Sequence, residues 1–308
     1  CGGGAGIVTM LNAKLDAVFA LKVLAADLVD TSGIELVNIT NAPSQMTLLE
    51  SVVAELRTTA EGRARLALAA AFSQSVDWTR ADQEQPDARD YEAQLDNIAD
   101  SFGFGHPAVV RAGVEAAAGG NPSWNDGVDY DLLYHQSGAQ QRVRALYEEA
   151  DIDLSADLTT LRSAARISAD PAALAFAEQN ITYSGDIEDP VLTMHTIGDP
   201  ADPVAFEAAY TDTVRSAGNG NLLRSTFVQR PGHCAFSNAE RAAALTTIYE
   251  RVTSGQWRAT GTTKSMNALA GEIAASAEGM GGAAFISIPQ GQHVLRPWTE
   301  ADHGTYGR

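Results

Sequence analysis

Residues 190–237 of this 308-residue chain carry the pattern that most constrains its fold. Two short apolar runs, at residues 190–196 and 222–228, flank residues 204–217, where apolar side chains recur at three- and four-residue steps. Short apolar runs are typical of buried strands, and the three- and four-residue spacing is typical of a helix. The stretch therefore predicts strand, helix and strand, which is the unit from which parallel sheets are built.

Each predicted strand is followed by a turn that contains one ionisable residue. Asp199 follows the first strand, and His233 follows the second. An acid and then a histidine, each just past a strand end, is the order in which a Ser…Asp…His hydrolase presents its last two catalytic residues. Asp202 is the competing acid. We prefer Asp199 because it lies closer to the strand end, which leaves Asp202 as the N-cap of the helix and Pro203 as its first residue.

Two motifs in this stretch resemble those of the α/β-hydrolase superfamily. HTIGDPADP is similar to its acid loop, usually His-Gly-x-x-Asp-x-x-Val-Pro, although Thr196 replaces the Gly and Asp202 replaces the Val. PGHCAFS is similar to its histidine loop. The resemblance implies an α/β fold, the C-terminal part of an α/β-hydrolase sheet with a large all-helical lid insertion.

The start of the chain resembles a family of secreted actinobacterial α/β-hydrolases. In that family a Cys-Gly pair ends the strand after the nucleophile helix, and an Asn…Leu-Asp…Phe-Ala-x-Lys pattern follows. The matching residues here are Asn12, Leu15, Asp16, Phe19, Ala20 and Lys22. An ordinary core-facing helix over residues 8–29 accounts for the apolar matches, but it leaves Asn12 and Asp16 unexplained.

Residues 40–180 contain no convincing strand. They predict seven helices, at residues 47–57, 62–74, 91–101, 107–118, 139–150, 156–168 and 171–179. In α/β-hydrolases such a block forms a lid, and GGNPSWNDGVDY resembles the lid of the same secreted family. The aromatic candidates for the walls of a substrate pocket are Trp78, Phe102, Phe104, Trp124 and Tyr130. Their simpler interpretation is that they pack the helices together.

The expected division of the chain follows from these elements. Residues 1–39 would begin the hydrolase core, 40–180 would form the lid, 181–260 would carry both loops of the core, and 261–308 would be a C-terminal extension. After His233 we expect a helix over residues 238–253 that is capped by Asn238. A short helix at 265–275 and a strand at 283–288 would follow. The side chains expected to pack inward from the 238–253 helix are Ala242, Leu245, Ile248, Tyr249 and Val252.

A nucleophile motif is absent from the sequence. Residues 1–308 contain no Gly-x-Ser-x-Gly, the pattern that a strained nucleophile turn requires. Acid and histidine alone cannot form an acyl-enzyme, because the mechanism needs a hydroxyl beside the histidine. We therefore expect a serine hydrolase whose serine lies on an N-terminal segment or companion chain, and whose substrate is an ester or amide. His233 would be its general base and Asp199 would orient the imidazole.

Two other functions stay open. A chain that begins with Cys1 could be an N-terminal-nucleophile hydrolase, in which the α-amino group activates the thiol. That class needs two stacked antiparallel sheets, whereas a long helical stretch follows Cys1 here. The chain could also be a non-catalytic helical binding protein, in which Asp199 and His233 are structural.

The two cysteines indicate in which cellular compartment the protein is located. Cys1 and Cys234 are the only two in the sequence, and the resemblance places both at the carboxyl edge of one sheet. We therefore expect a disulfide between them, which on the chain-entropy model would stabilise the fold by roughly 5 kcal/mol. Because disulfides persist in oxidising compartments, this bond would imply a secreted protein. Since Cys1 is not a methionine, it is not a translation start, and proteolytic processing at this position is one interpretation that the sequence leaves open.

Composition and motifs exclude several classes of ligand. The formal net charge of −18 argues against nucleic acid and anionic membrane surfaces as partners. No run of 18 apolar residues is present, so no membrane span is expected. The glycines at residues 2–6 do not complete Gly-x-Gly-x-x-Gly, and Asp126, Asp129 and Asp131 lack the twelfth-position glutamate of a calcium loop. We therefore expect neither a cofactor nor a metal ion.

Overall fold

The fold was analysed in a computed structural model that describes residues 6–103, 108–257, 261–288 and 293–297. Within these ranges the chain forms a mixed α/β structure that is predominantly helical. Its helices are α1 (Ile7–Leu24), α2 (Ala42–Leu56), α3 (Ala60–Phe72), α4 (Tyr91–Gly103), α5 (Ala108–Ala118), α6 (Tyr130–Gln136), α7 (Gln140–Ala150), α8 (Leu154–Ser163), α9 (Pro171–Ile181), α10 (Val204–Ser216), α11 (Asn238–Ser254) and α12 (Thr263–Ser276). Its strands are β1 (Val191–Gly198), β2 (Leu223–Pro231) and β3 (Phe285–Ile286).

The chain divides into two compact units. The helical unit consists of the described residues of Gly6–Trp78 and Gln85–Thr182, together with residues 294–297. The sheet unit consists of Thr79–Glu84 and of the described residues of Tyr183–His293. The break after Thr182 lies close to the expected end of the lid at residue 180. Helix α1, which the sequence assigned to the hydrolase core, belongs to the helical unit.

The sheet unit contains the predicted strand–helix–strand arrangement. Strands β1 and β2 are parallel, with Val191 opposite Leu223 and Met194 opposite Thr226, and α10 connects them. This part of the prediction is confirmed. Strand β3 adds to the other side of β2 in the antiparallel direction, so the order is β1-β2-β3. The predicted strand at 283–288 is reduced to two residues.

Helix α11 differs from the expectation in its cap. Ser237, not Asn238, is the N-cap residue: its hydroxyl accepts the backbone N–H of Glu240, and the Glu240 carboxylate accepts the backbone N–H of Ser237. This reciprocal pair satisfies two otherwise unpaired N–H groups at the helix start.

The packing face of α11 also differs. Its buried side chains are the small ones, including Ala239, Ala243 and Ala244. The large residues Leu245, Tyr249 and Val252, expected to pack inward, are 69%, 69% and 61% exposed. Because small side chains let this helix lie close to the sheet, its alanine face is buried. The face with the greatest apolar area is the exposed one.

The helical unit is built around α1 and α3. Helix α1 is buried on all sides, which is unusual for a helix of a small domain and fits a central position. Helix α3 contacts both α1 and α7, and its residues from Ala67 to Ala71, four alanines and Leu68, are fully enclosed. Leucine, valine and aromatic side chains from the neighbouring helices complete this core.

The predicted helices of residues 40–180 are all present within the described ranges, with shifted ends. One further helix, α6, was missed. It has seven residues, too few for a three- and four-residue spacing to show, and Asp129 caps it by accepting the backbone N–H of Leu132. In the part of the chain that the structure describes, no helix combines the length and apolarity that a bilayer crossing needs.

Candidate active site

The ends of β1 and β2 bring two loops together. Thr196 donates its hydroxyl to the carbonyl of Gly232 at 2.7 Å, and the backbone N–H of Gly232 donates to the carbonyl of Gly198 at 2.8 Å. Gly232 has a φ of 93°, a conformation that other residues adopt only at a cost, and it turns the chain immediately before His233. The two loops are therefore fixed to each other at the strand ends.

Asp199 and His233 form a hydrogen-bonded pair at this edge. The Nδ1 atom of His233 lies 2.8 Å from Oδ2 and 3.0 Å from Oδ1 of Asp199. The Asp199 side chain is 1% exposed, whereas the His233 side chain is 37% exposed. Because a carboxylate only accepts hydrogen bonds, Nδ1 carries the proton and the buried acid fixes the tautomer of the imidazole.

Backbone groups hold the Asp199 carboxylate in place. Its Oδ1 atom accepts the N–H of Ala201 at 2.9 Å and the N–H of Asp202 at 3.2 Å. Asp202 is not the N-cap that the sequence predicted, because Pro203 occupies that position and α10 has no side-chain cap. The carboxylate that the structure places against Nδ1 of His233 is that of Asp199.

His195 supports the same loop from β1. Its side chain is 1% exposed, and its Nε2 atom lies 2.8 Å from the carbonyl oxygen of Asp202. Since a carbonyl only accepts, Nε2 is the donor. Burial lowers the pKa of His195, which keeps the ring neutral. Sequence reasoning assigned His195 no role, and a histidine in the middle of a predicted buried strand was the signal available.

A second buried carboxyl lies on α10. Glu207 is 0% exposed and accepts a hydrogen bond from the hydroxyl of Thr193 on β1. Burial raises the pKa of Glu207 to about 7. Among the described residues, its Oε2 atom and the Nδ1 atom of His195 have no hydrogen-bond partner. Both belong to the sheet unit, and neither group was singled out from the sequence.

Asp199, Asp202 and His233 have the types of side chain that bind a cation. One ligand atom from each of Asp199, Asp202 and His233 lies within 4.8 Å of the others. However, both Asp199 oxygens face Nδ1 of His233, and Oδ1 also accepts two backbone N–H groups. These contacts favour a proton-transfer pair over a metal centre.

Four of the five predicted pocket residues lie inside the helical unit. Phe102 and Tyr130 are buried in its main core, and Trp124 is buried in a smaller cluster with Val8 and Leu174. Trp78 is half-buried. Phe104 lies outside the described residues, so its role as a pocket wall stays a prediction. Such burial is what helix packing requires, and nothing in it identifies a substrate pocket.

The polar residues that matched the secreted family have structural partners. Asn12 accepts the backbone N–H of Trp124 at 3.0 Å. Asp16 is 0% exposed and accepts hydrogen bonds from the Tyr130 hydroxyl at 2.9 Å and from Arg296 at 2.7 Å. These contacts explain why polar side chains interrupt the buried face of α1.

Cys234 directly follows His233 and adopts a φ of 54°. Its expected partner, Cys1, lies outside the described residues. The disulfide between them therefore stays a prediction.

Comparison with known proteins gives one informative likeness, which is to a hydrolase. No family model matches the chain, and no solved structure matches it. The chain is 38% identical over 211 residues to a protein named o-phthalyl amidase, from Xanthobacter agilis. The similar region takes in 66% of this chain but 46% of that amidase, so the chain spans about half the length of the curated relative it matches. The likeness is consistent with a hydrolase.

Proposed function

We propose that this chain supplies the acid and the base of a serine hydrolase of the α/β-hydrolase type, acting on an amide or ester bond. The observation that carries the proposal is the pair formed by Asp199 and His233, in which a buried carboxylate contacts Nδ1 of a partly exposed imidazole. Adjacent parallel strands present the two residues in the order that this class of enzyme uses.

The proposed mechanism is acyl transfer to water through a serine ester. His233 takes the proton of the serine hydroxyl as that oxygen attacks the carbonyl carbon, and it then gives the proton to the leaving amine or alcohol. Asp199 keeps Nδ1 protonated and stabilises the imidazolium. A water molecule, activated by the same imidazole, then cleaves the acyl-enzyme and regenerates the serine.

The nucleophile would lie outside residues 1–308. The absence of Gly-x-Ser-x-Gly from the sequence supports this, as does the fact that the similar amidase is about twice as long as the region it shares with this chain. The serine and the oxyanion hole would come from an additional segment or a companion chain. The name of the relative makes an o-phthalyl amide the first substrate to test, and the proposal favours amide over ester on that ground.

Three further features belong to the same proposal. The helical unit would act as the lid, because a helical block precedes the two catalytic loops in the chain. A disulfide would join Cys234 to Cys1 and hold the histidine loop, and the absence of a free cysteine thiol among the described residues supports it. Such a bond would imply an oxidising, extracellular location.

Labelling with a fluorophosphonate probe tests the proposal. The sample is a longer protein that unites this chain with the additional segment or companion chain that would carry the serine. A single labelled serine outside residues 1–308, lost in His233→Ala, is the expected result. Labelling of Cys1 would instead support an N-terminal-nucleophile hydrolase. No labelling, in a sample that also fails to hydrolyse an o-phthalyl amide, would contradict the proposal.

A further inference from the structure

We propose that a cavity beside β2 in the sheet unit binds a small organic anion, a carboxylate attached to an aromatic or other apolar body. The cavity has a volume of about 790 Å³, a size typical of sites that hold small molecules. Its described lining on β2 ends at Phe227, whereas His233 follows the end of that strand. At ~3.3 Å per residue, Ser225 and Pro231 lie about 20 Å apart along β2. The cavity is therefore separate from the Asp199–His233 pair, and ligand binding there requires neither a nucleophile nor hydrolase activity.

The cavity opens where the chain leaves β3. Within the described residues, β3 pairs with β2 at Phe227 and Val228. The residues that follow β3, Ser287 and Ile288, line the cavity and do not extend this pairing. Helix α10 contributes one wall, and the start of α12 contributes another. The space beside residues 223–226 of β2 is thus enclosed by elements of the sheet unit.

Arg224 on β2 is the group best placed to bind a carboxylate. Its guanidinium lies over the ring of Trp257, 5.3 Å from the centroid, and its Nη1 atom donates to the carbonyl of Gly261 at 3.3 Å. The indole is itself held by a hydrogen bond from its Nε1 atom to the carbonyl of Asn221 at 2.9 Å. A guanidinium has five N–H donors, and within the described residues Arg224 uses one of them. The remaining donors of this fixed, half-buried group match the two oxygens of a carboxylate.

Other groups around the cavity also favour a negative charge. Arg215 near the end of α10 lines it, and among the described residues neither Arg215 nor Arg224 forms an ion pair. Helix α12 starts at the cavity wall with Thr262 as its N-cap, and the start of a helix carries a partial positive charge. Asp212 is the one acidic side chain in the described lining, and its Oδ2 atom lies 3.2 Å from Nδ1 of His293. On a chain with a net charge of −18, this local excess of positive charge indicates an anionic ligand.

The rest of the lining suits an apolar body. The hydroxyls of Thr211 and Ser225 lie 2.9 Å apart and pair with each other, so they place little polar demand on a ligand. The apolar and aromatic side chains of the wall are Leu223, Phe227, Trp257, Met266, Phe285 and Ile286. A ligand with fused aromatic rings would remove apolar surface from water against these side chains while its carboxylate meets Arg224.

Calorimetric titration of the 308-residue chain with 2-naphthoate tests the proposal. The uncharged 2-naphthamide, which has nearly the same shape, should bind at least about tenfold more weakly, because its hydrogen bonds to a guanidinium lack the assistance of a negative charge. Arg224→Gln should weaken the binding of 2-naphthoate at least about tenfold for the same reason. The matched control is Arg241→Gln, which changes an exposed arginine of α11 outside the described lining and should leave the affinity unchanged.

Arg215→Gln provides a second variant in case Arg224→Gln impairs folding. Arg215 is exposed, so its substitution should leave the fold intact. Because solvent screens an exposed charge, this change should weaken the binding of 2-naphthoate about threefold.

Protection from phenylglyoxal, a reagent that modifies arginine, locates the ligand. With 2-naphthoate at about ten times its dissociation constant, modification of Arg224 should slow about tenfold, because the free site falls in proportion. Modification of Arg241 in the same sample should keep its rate. Mass spectrometry of the digested chain measures both arginines.

Four results would overturn the proposal. They are the absence of saturable binding to the wild-type chain, equal affinity for the acid and the amide, wild-type affinity in both Arg224→Gln and Arg215→Gln, and unprotected modification of Arg224. His233→Ala should leave the affinity for 2-naphthoate unchanged. A loss of affinity in that variant would place the ligand at the Asp199–His233 pair and would also contradict the proposal.

Discussion

Arg296→Met should destabilise the helical unit by removing the partner of a buried carboxylate. Arg296 donates to Oδ2 of Asp16 at 2.7 Å and to the carbonyl of Trp124 at 2.9 Å. Its guanidinium also lies over the Trp124 ring, 5.4 Å from the centroid. The Asp16 side chain is 0% exposed and the Arg296 side chain is 13% exposed, so solvent screens this pair little.

The size of the destabilisation by Arg296→Met depends on the contacts that Asp16 keeps after the substitution. Loss of one partner of a buried ion pair costs about 3–5 kcal/mol, because the other charge is left uncompensated. Methionine keeps much of the aliphatic packing, and the Tyr130 hydroxyl still donates to Asp16. We therefore expect about 3 kcal/mol near neutral pH.

The destabilisation by Arg296→Met should depend on pH, and the pKa of Asp16 sets the direction of this dependence. Burial raises the pKa of Asp16, and the charge of Arg296 opposes that rise, so removal of Arg296 raises the pKa further. A carboxyl whose pKa is higher in the folded state than in the unfolded state loses its contribution to stability as pH rises. The destabilisation should therefore shrink as the pH falls and Asp16 binds a proton, which removes the uncompensated charge.

Urea unfolding of the two single variants and the double variant measures this effect. Asp16→Asn removes the charge and keeps an acceptor for Tyr130. In the Asp16→Asn background, Arg296→Met should cost about 1 kcal/mol or less, because no buried charge is left behind. A cost below about 1 kcal/mol in the wild-type background, or an equal cost in both backgrounds, would refute the reasoning.

Three further predictions concern single groups. Burial raises the pKa of Glu207 from 4.5 to about 7. The free energy of unfolding should therefore fall by about 3 kcal/mol as the pH rises from 4.5 to about 7. Urea unfolding of Glu207→Gln should show a free energy of unfolding that depends less on pH over the same range. His195→Leu should slow fluorophosphonate labelling of the longer protein at least about tenfold, since the Asp202 carbonyl loses its donor, and His195→Gln, which can donate, should restore part of the rate. Thiol counting on the denatured, non-reduced chain should find no free thiol, and two free thiols would contradict both the Cys1–Cys234 disulfide and the secreted location.

The sheet and its two loops were predictable because their signals are local. The strand–helix–strand pattern of residues 190–228 depends on side chains close in sequence, and each strand end marks the position of the residue that follows. Parallel pairing then places Asp199 near His233 without further information. The choice between Asp199 and Asp202 as the catalytic acid depends on the path of the loop, which the sequence does not show. In the structure the backbone N–H groups of Ala201 and Asp202 donate to Asp199 and fix that path.

Other features depend on contacts that no short window of sequence contains. Asp16 and Arg296 are 280 residues apart, so the partner of the buried acid could not be read from α1. The orientation of α11 was predicted wrongly because large apolar residues outweigh alanines in a periodicity argument, whereas close packing on a sheet favours the alanines. His195 was overlooked because its partner is a backbone carbonyl of the following loop, which has no sequence signature.

The central claim is that Asp199 orients His233 as a catalytic base. The most direct measurement is the hydrolysis rate of Asp199→Asn against that of Asp202→Asn, in the longer protein with a substrate that it cleaves. The account predicts a fall in kcat of about 10⁴-fold for Asp199→Asn, because asparagine favours the wrong tautomer of the imidazole. It predicts a change of less than about tenfold for Asp202→Asn, since the carboxylate that contacts Nδ1 of His233 is that of Asp199. Full activity in Asp199→Asn, or a larger loss in Asp202→Asn, would contradict the account.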